Sequence, residues 1–413
     1  MEIPDRLFNQ FICFLEGETH PWKGYVVIDS TINGKSTGGV RMMPDVTLSE
    51  LMHMARAMTL KYGFCGIPRG GVKAGIVADP EIDPVIKQEI LKEFGLKLAP
   101  VIKKRIYEPG MDMGIGPGDL SCIWQSAGLK QSRYMKPVTH SRSGYFTGLT
   151  VFIAAEAALE KLGIQFNRCT AALEGFGNVG GALAAEYAKR GVKIVAVSTI
   201  DGAIYNEKGF DIQELRSQYR RHKSRMINYV NGEIIGMDEL FRLNVDILSP
   251  CARSWSISEK NADQVQARIV SPGANCAVTP EAEQILADRG ILSLPHFVAS
   301  SGGALGSTME FLGCTERQIL NFTQTEMKKK IVTLLSSAEK EKILPIELAE
   351  REALTKFGKM QALQQDTWRS NTIHIAMSMY KTGMLPAILT RKFLPGYLKS
   401  KLWSDSILTG IVQ

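Results

Sequence analysis

Cys169-Thr-Ala-Ala-Leu-Glu174 runs without a break into Gly175-Phe-Gly177-Asn-Val-Gly180. The first six residues read as a buried strand, and the glycines that follow are spaced for a tight turn. An apolar-periodic helix continues through Arg190, Gly191 caps it, and Val192-Lys-Ile-Val-Ala-Val-Ser198 is the next strand. A lone Gly-x-Gly-x-x-Gly is weak evidence. Placed after a strand, opening a helix and followed by a second strand, it is the dinucleotide-binding fingerprint. The glycines permit the turn and let the backbone approach a pyrophosphate, whose charge the free N–H groups and dipole of the helix N-terminus stabilise. Gly175, Gly177 and Gly180, with Asn178 and Val179 between them, are therefore candidate cofactor-binding residues.

Downstream, Val245-Asp-Ile-Leu248, Arg268-Ile-Val270 and Ile291-Leu-Ser-Leu294 repeat the strand pattern with helices between. This alternation predicts an α/β fold with a parallel, doubly wound sheet of Rossmann type. The unit begins near Gly144, where Leu149 to Leu162 reads as an amphipathic helix ending at Gly163. From about residue 310 the chain turns helical and more charged, without strand signals. At the end of the second strand an NAD-specific fold usually carries Asp or Glu for the ribose hydroxyls. Here that position is Thr199, in Val197-Ser-Thr-Ile-Asp201, and a threonine does not repel a 2′-phosphate. Asp201 can substitute if the loop turns back, so the cofactor is NAD or NADP.

Upstream, Ala57-Met-Thr-Leu-Lys61-Tyr-Gly-Phe-Cys-Gly-Ile-Pro-Arg-Gly70-Gly71-Val-Lys73-Ala-Gly75-Ile carries two lysines, the second beside paired glycines. Gly70-Gly71 lets backbone pack close to whatever Lys73 contacts. The pattern suggests an anion-binding pocket with one buried amine, and burial together with a neighbouring cation would make that amine a usable acid or base. Gly24-Tyr-Val-Val-Ile-Asp29 reads as a strand and Thr31-Ile-Asn-Gly34 as a turn. Thr47-Leu-Ser-Glu50 is a capping box before a helix spanning about 48 to 62, and a second helix starts at Asp83-Pro84. Val101-Ile-Lys-Lys-Arg-Ile-Tyr107 is strand-like and runs into the glycine-rich loop Glu108-Pro-Gly-Met-Asp112-Met-Gly-Ile-Gly-Pro-Gly118. Such loops are where α/β proteins place their chemistry.

Composition bounds the alternatives. The chain has 413 residues, 45% apolar and 22% charged, enough for two or three globular domains. No apolar run approaches the ~18 residues of a spanning helix. The start, Met1-Glu-Ile-Pro-Asp-Arg, lacks a secretory pattern, and seven scattered cysteines without Cys-x-x-Cys suit a reducing cytoplasm. The six histidines never fall in a His-x-x-x-His pair, so no metal site is expected. The net charge of +7 has its densest patch at Arg216 to Arg225. Without aromatic interleaving or a nucleic-acid-binding motif, that patch reads as a solvated helix face.

Taken together, these segments resemble the Glu/Leu/Phe/Val amino-acid dehydrogenase superfamily, from about Gly24 to Glu310. Gly38-Gly39-Val-Arg41-Met, Met58-Thr-Leu-Lys61 and Gly70-Gly71-Val-Lys73 look like its substrate-domain motifs in order and spacing. Pro109-Gly-Met-Asp112-Met-Gly looks like its loop bearing a catalytic aspartate. Val245-Asp-Ile-Leu-Ser-Pro250, Gly273-Ala-Asn275, Thr279-Pro-Glu-Ala and Ser301-Gly302-Gly303 follow its cofactor-domain pattern. The resemblance implies an α/β substrate and oligomerisation domain over 1–140, a Rossmann domain over 141–320 and a helical C-terminal segment over 321–413. It implies reversible oxidative deamination of an L-amino acid to a 2-oxo acid and ammonium by a homo-oligomer, with no nucleic-acid or membrane partner. Lys61 would hold the substrate α-carboxylate, Lys73 would activate the attacking water, and Asp112 would shuttle protons at the amino group. Gly39, Thr37 and Ser307 join the substrate-binding set; Asn275, Thr199 and Ser141 join the cofactor-binding set.

The departures bear on specificity. Glutamate-specific members carry a lysine before the Gly-Gly of the early motif, where this chain has Thr37, and Ser307 cannot replace that cation. An uncharged substrate side chain is therefore expected, with Arg41 the nearest cation in sequence that could reach the pocket instead. Ser300 stands where asparagine is frequent and His296 where aspartate is usual. The alternatives are a glutamate dehydrogenase and a catalytically weak nucleotide-binding relative with a regulatory role. The retained Lys61, Lys73 and Asp112 argue against the latter.

Overall fold

The computed structural model describes residues 10–129, 142–362 and 387–403. They form two compact units. The first holds the described residues up to 129 together with 310–314, 352–362 and 387–403; the second holds 142–309 and 315–351. The chain beyond 320 is thus shared between the two units. Its assignment to the first has a packing reason. A Cβ on Gly63 would collide with the carbonyl of Ala353, and one on Gly66 would stand 2.8 Å from Lys401. The buried Lys356 donates from Nζ to the carbonyls of Leu402 (2.6 Å) and Phe64 (3.3 Å).

The first unit is built on a five-stranded sheet of β1 (Phe11–Glu16), β2 (Lys23–Ile28), β3 (Ser36–Met42), β4 (Gly70–Val77) and β5 (Tyr107–Met111). The order is β1-β2-β4-β3-β5, with β3 parallel to both β4 and β5 and the rest antiparallel. Helix α1 (Leu48–Cys65) begins at Thr47, whose hydroxyl accepts the Glu50 amide at 3.2 Å, and stops at Gly66 in the left-handed region (φ 65°). The Glu50 carboxylate accepts Arg41 at 2.6 Å, so the Thr47 half of the expected capping box is in place while the acid is drawn into an ion pair. Gly71 and Gly75 let α1 press on the sheet: a Cβ at Gly71 would overlap Ala55 and Thr59, and one at Gly75 would meet Val46 and Leu51. The opposite face buries Val40, Met42, Val72, Ala74 and Ile76 against α2 (Pro84–Lys97), α3 (Ala99–Lys103) and α4 (Pro117–Ser126). One expectation fails here. Val101–Lys103 is helical, because Pro100 suits a first helical turn and Ile102 completes the core. The strand starts only at Tyr107, after Arg105 reverses the chain with φ 60°, and it takes in the first residues of the expected glycine-rich loop.

The second unit carries a seven-stranded sheet of β6 (Thr170–Glu174), β7 (Lys193–Thr199), β8 (Gly202–Tyr205), β9 (Glu233–Ile235), β10 (Ile247–Pro250), β11 (Ile269–Val270) and β12 (Leu292–Ser293). The order β12-β11-β10-β6-β7-β8-β9 is parallel from β12 to β7, as the alternation predicts. Two short antiparallel strands, β8 and β9, extend the edge and carry too little pattern to be read from sequence. Helix α5 (Ser143–Lys161) begins earlier than Leu149 and is buried along most of its length instead of being amphipathic. It lies between α6 (Asn178–Lys189) and the helix Gly302–Phe311. The close approach uses glycines: Gly148 faces Leu183, and Gly302, Gly303 and Gly306 fit against Phe146 and Thr147. Helix α7 (Ile212–His222) carries Arg216, Arg220 and Arg221 of the basic patch on exposed positions, and the exposed Lys223 and Arg225 follow its end.

Candidate active site

Strand register assembles the polar face of the first sheet. Thr37 pairs with Gly71 on one side and Glu108 on the other, and Gly39 pairs with Gly110. Side chains alternate along a strand, so Thr37, Gly39 and Arg41 share a face with Gly71, Lys73 and Gly75 and with Glu108 and Gly110. The glycines let other groups close on that face. A Cβ on Gly39 would stand 2.9 Å from the Asp112 Cβ and 2.7 Å from the Met111 carbonyl oxygen, so Asp112 occupies the space a side chain would need.

Lys73, 3% exposed, is directly ion-paired with Asp112 through Nζ and Oδ2. Asp112 Oδ1 accepts the Met113 amide at 2.7 Å and lies 3.5 Å from Arg41 Nη2. Burial alone would push the Asp112 carboxyl up. Lys73, then Arg41, outweigh burial and hold it below the usual carboxylate range. The partner of the buried amine is therefore an anion, where the sequence suggested a neighbouring cation. Lys61 is buried on α1.

Thr37 is half-buried and its hydroxyl donates to Glu108 Oε2 at 3.4 Å. The same oxygen lies 3.5 Å from Arg69 Nη2, and Oε1 lies 3.5 Å from Arg105 Nη1. Arg41 is committed to Glu50 and Asp112 and is not the cation beside Thr37. Sequence reasoning missed Glu108, Arg69 and Arg105 in this role. Their meeting depends on the β3–β5 register and on the turn at Arg105, neither of which leaves a local signal.

The glycine loop of the second unit has the shape a pyrophosphate requires. Gly175 has φ 91°, open to glycine but strained for other residues. A Cβ on Gly180 would overlap the Gly175 carbonyl, whereas one on Gly177 would meet only the Tyr219 hydroxyl at 4.0 Å. Space is thus left open at Gly177, where α6 begins and the N–H groups of Asn178, Val179 and Gly180 have no intrahelical partner. These residues fit a dinucleotide. The Ser198 hydroxyl accepts the Gly175 amide at 3.0 Å, tying the loop to β7. Thr199, 8% exposed, donates to the Ser224 carbonyl at 2.7 Å and accepts the Asp201 amide at 3.2 Å, so its hydroxyl is already engaged. Asn275, half-buried, precedes Cys276, whose amide donates to His296 Nδ1 at 3.2 Å, and the Ser300 hydroxyl donates to the His296 carbonyl at 2.6 Å. Ser307 sits half-buried on the helix Gly302–Phe311. Ser141 lies outside the described residues. Among those residues no His, Cys, Asp or Glu group is arranged to hold a metal, and no helix is long and apolar enough to cross a membrane.

Two buried acids in the second unit were not singled out by sequence. Glu174, ending β6 beside the glycine loop, has its carboxyl pushed up to about 7 by burial, although Ser256 Oγ donates to both oxygens at 2.9 Å. Glu283 is likewise pushed up to about 7 by burial, with Ser293 opposing and the charge of Glu350 adding. Both values are raised above the ordinary 4.5. The stability these acids contribute is therefore full below about 4.5 and lost as pH rises through about 7. Each shift corresponds to about 3 kcal/mol once ionisation is complete. Melting temperature is expected to fall between about pH 5 and pH 8, and Glu283→Gln to flatten part of that slope. Equal stability across this range, measured by calorimetry at constant ionic strength, contradicts the assignment.

The Glutamate/Leucine/Phenylalanine/Valine dehydrogenase family pattern matches residues 140–365, and the Glu/Leu/Phe/Val dehydrogenase dimerisation domain matches residues 9–127. The glutamate dehydrogenase of Thermotoga maritima is 33% identical over 308 residues, which span 72% of this chain and 74% of that protein. An NAD-specific glutamate dehydrogenase of Staphylococcus aureus is 31% identical over 345 residues, spanning 78% and 80%. Among solved structures, the leucine-bound form of the hetero-hexameric glutamate dehydrogenase from Thermus thermophilus has a TM-score of 0.76 at 25% identity. It covers 86% of this chain and 90% of its own.

Proposed function

Because the chain belongs to the Glu/Leu/Phe/Val dehydrogenase family, we propose that it reversibly deaminates an L-amino acid with an uncharged side chain. An NAD(P)-dependent amino-acid dehydrogenase needs a proton acceptor at the amino group and a base for water. The buried Lys73–Asp112 pair is the observation that carries the reading. Lys61 binds the substrate α-carboxylate. Asp112, held ionised by Lys73 and Arg41, takes a proton from the substrate ammonium. Bound NAD(P) supplies the hydride acceptor, and the residues at Gly175–Gly180 hold its pyrophosphate. Water then adds to the imine carbon as Lys73 receives its proton. Lys73 first passes its own proton to solvent through Asp112, which is ionised again before it takes the substrate's proton. Asp112 returns a proton to the nitrogen, the C–N bond breaks as the hydroxyl oxygen forms C=O, and the hydroxyl proton passes through Asp112 to the released ammonia, so ammonium and the 2-oxo acid are the products. The dimerisation-domain match supports a homo-oligomer, and the seven free thiols suit a cytoplasmic setting.

Substrate preference follows from Thr37. A glutamate side chain directed there finds a hydroxyl already donated to Glu108, whose carboxylate takes up the charge of Arg69 and Arg105. A second buried carboxylate without its own cation costs several kcal/mol, enough for roughly a thousandfold discrimination. A panel of L-amino acids against NAD and NADP, followed by absorbance of the reduced cofactor, tests this. Glutamate should be at least on the order of a hundredfold poorer in kcat/KM than the best uncharged substrate. Thr37→Lys with Glu108→Gln should raise glutamate relative to leucine, and Thr37→Lys alone should raise it less because Glu108 captures the new ammonium. If glutamate heads the panel, the pocket reading is wrong and Arg69 is the first cation to mutate.

A further inference from the structure

We propose that the basic strap from Arg220 to Arg225 binds the adenosine 2′-phosphate of NADP, so that the enzyme prefers NADP to NAD. The inference rests on the dehydrogenase reading above and concerns the far end of the same cofactor. In a fold of this kind the adenosine ribose lies at the end of the second strand of the nucleotide-binding half, here the end of β7 at Thr199. The Thr199 hydroxyl is used up holding the main chain of the strap, through the Ser224 carbonyl at 2.7 Å. Thr199 therefore acts as a tether, and what it brings to the strand end is a run of cations.

Three further observations place the strap at the nucleotide loop. Phe176, inside the glycine motif, packs edge-on against Tyr219 of α7 with ring centroids 5.9 Å apart. The open space at Gly177 is bounded by that same tyrosine's hydroxyl. Arg216 and Lys223 stand three before and four after Tyr219, so they share its side of α7, and Arg220 follows directly on the adjoining side; this basic end of α7 borders the mouth of the loop. Finally, Lys223 ends α7 with φ 53° and ψ −128°, a backbone conformation that non-glycine residues rarely adopt. A helix end that merely met solvent would not need that bend, and the bend is what turns Ser224 back to Thr199.

The charges themselves are uncommitted. Arg220, Arg221, Lys223 and Arg225 are exposed, and among the described residues their side chains make no ion pair or hydrogen bond. Elsewhere in the unit, Lys161 pairs with Glu339, Arg190 with Glu156, Arg268 with Asp246, and Lys328 with Glu156 and Glu160. The acid that could oppose a 2′-phosphate is Asp201, exposed in the turn after β7, with Glu214 further back on α7. Four cations against these two acids favour a doubly charged phosphate over a bare ribose hydroxyl.

Direct binding to the full chain decides it. NADPH and NADH are titrated by fluorescence or calorimetry, without substrate. Wild type should bind NADPH at least tenfold more tightly, and the double variant Lys223→Gln, Arg225→Gln should lose at least tenfold in NADPH affinity with NADH affinity held within twofold. Asp201→Asn should move the ratio little. Equal or NADH-favouring affinity in wild type overturns the proposal, as does a strap variant that weakens both cofactors alike; either result leaves the dehydrogenase reading standing. Binding of neither nucleotide overturns both.

Discussion

Lys73→Met lowers kcat by on the order of 10²-fold or more, the ordinary worth of a positioned acid–base group. Methionine keeps the length and apolar stem of the side chain and removes only the amine, so the change isolates the proton chemistry. The position is 3% exposed, with α1 packed over the neighbouring Gly71 and Gly75 and Asp112 packed over Gly39. Asp112 loses its directly paired cation but keeps Arg41 at 3.5 Å and the Met113 amide at 2.7 Å. Breaking a buried pair from one side costs about 3–5 kcal/mol, so the melting temperature falls as well. Cofactor affinity separates the two effects, because the glycine loop belongs to the other unit. A folded variant with undiminished NAD(P) affinity and wild-type turnover removes Lys73 from the chemistry.

Asp112→Asn has an effect of comparable or larger size, on the order of 10³-fold in kcat. Asparagine is nearly isosteric, which matters at a site where the side chain packs closely on Gly39. The amide can neither take the substrate's proton nor balance Lys73 and Arg41. Those two cations hold the Asp112 carboxyl below the usual range and so keep it ionised throughout neutral pH, and it becomes the stronger acceptor the mechanism needs once Lys73 has given up its proton. Single-turnover kinetics with a deuterated substrate distinguish a chemical defect from slow product release, and circular dichroism checks the fold. Should the variant fold, bind cofactor and still turn over normally, Asp112 is a turn-forming residue of its loop and nothing more.

Much of this protein could be read from local pattern. The fingerprint at Gly175–Gly180 requires a strand before it and a helix after it, and both are present. Thr47 and Asp83 each cap the helix expected of them. Where reading failed, tertiary packing was the cause. Val101–Lys103 has strand-like residues yet forms a helical turn to bury Ile102, and α5 is apolar on more than one side because α6 and the helix Gly302–Phe311 both press on it.

By itself the sequence determined the nucleotide-binding loop, the paired lysines and the loop bearing Asp112. These are local demands, in which a positive φ or a close backbone approach leaves glycine as the residue that fits. Only the tertiary structure decided what those residues meet. Lys73 on β4 finds Asp112 just beyond β5 because β3 lies between them with glycine at the crossing point. Thr37 faces Glu108, and through it Arg69 and Arg105, because of one register between two parallel strands. Thr199 holds Ser224 because α7 ends in a strained bend. Each of these partnerships joins residues apart in the chain; the first two are set by the long connections of a parallel sheet and the third by the bend after α7, and none leaves a mark in the neighbouring sequence.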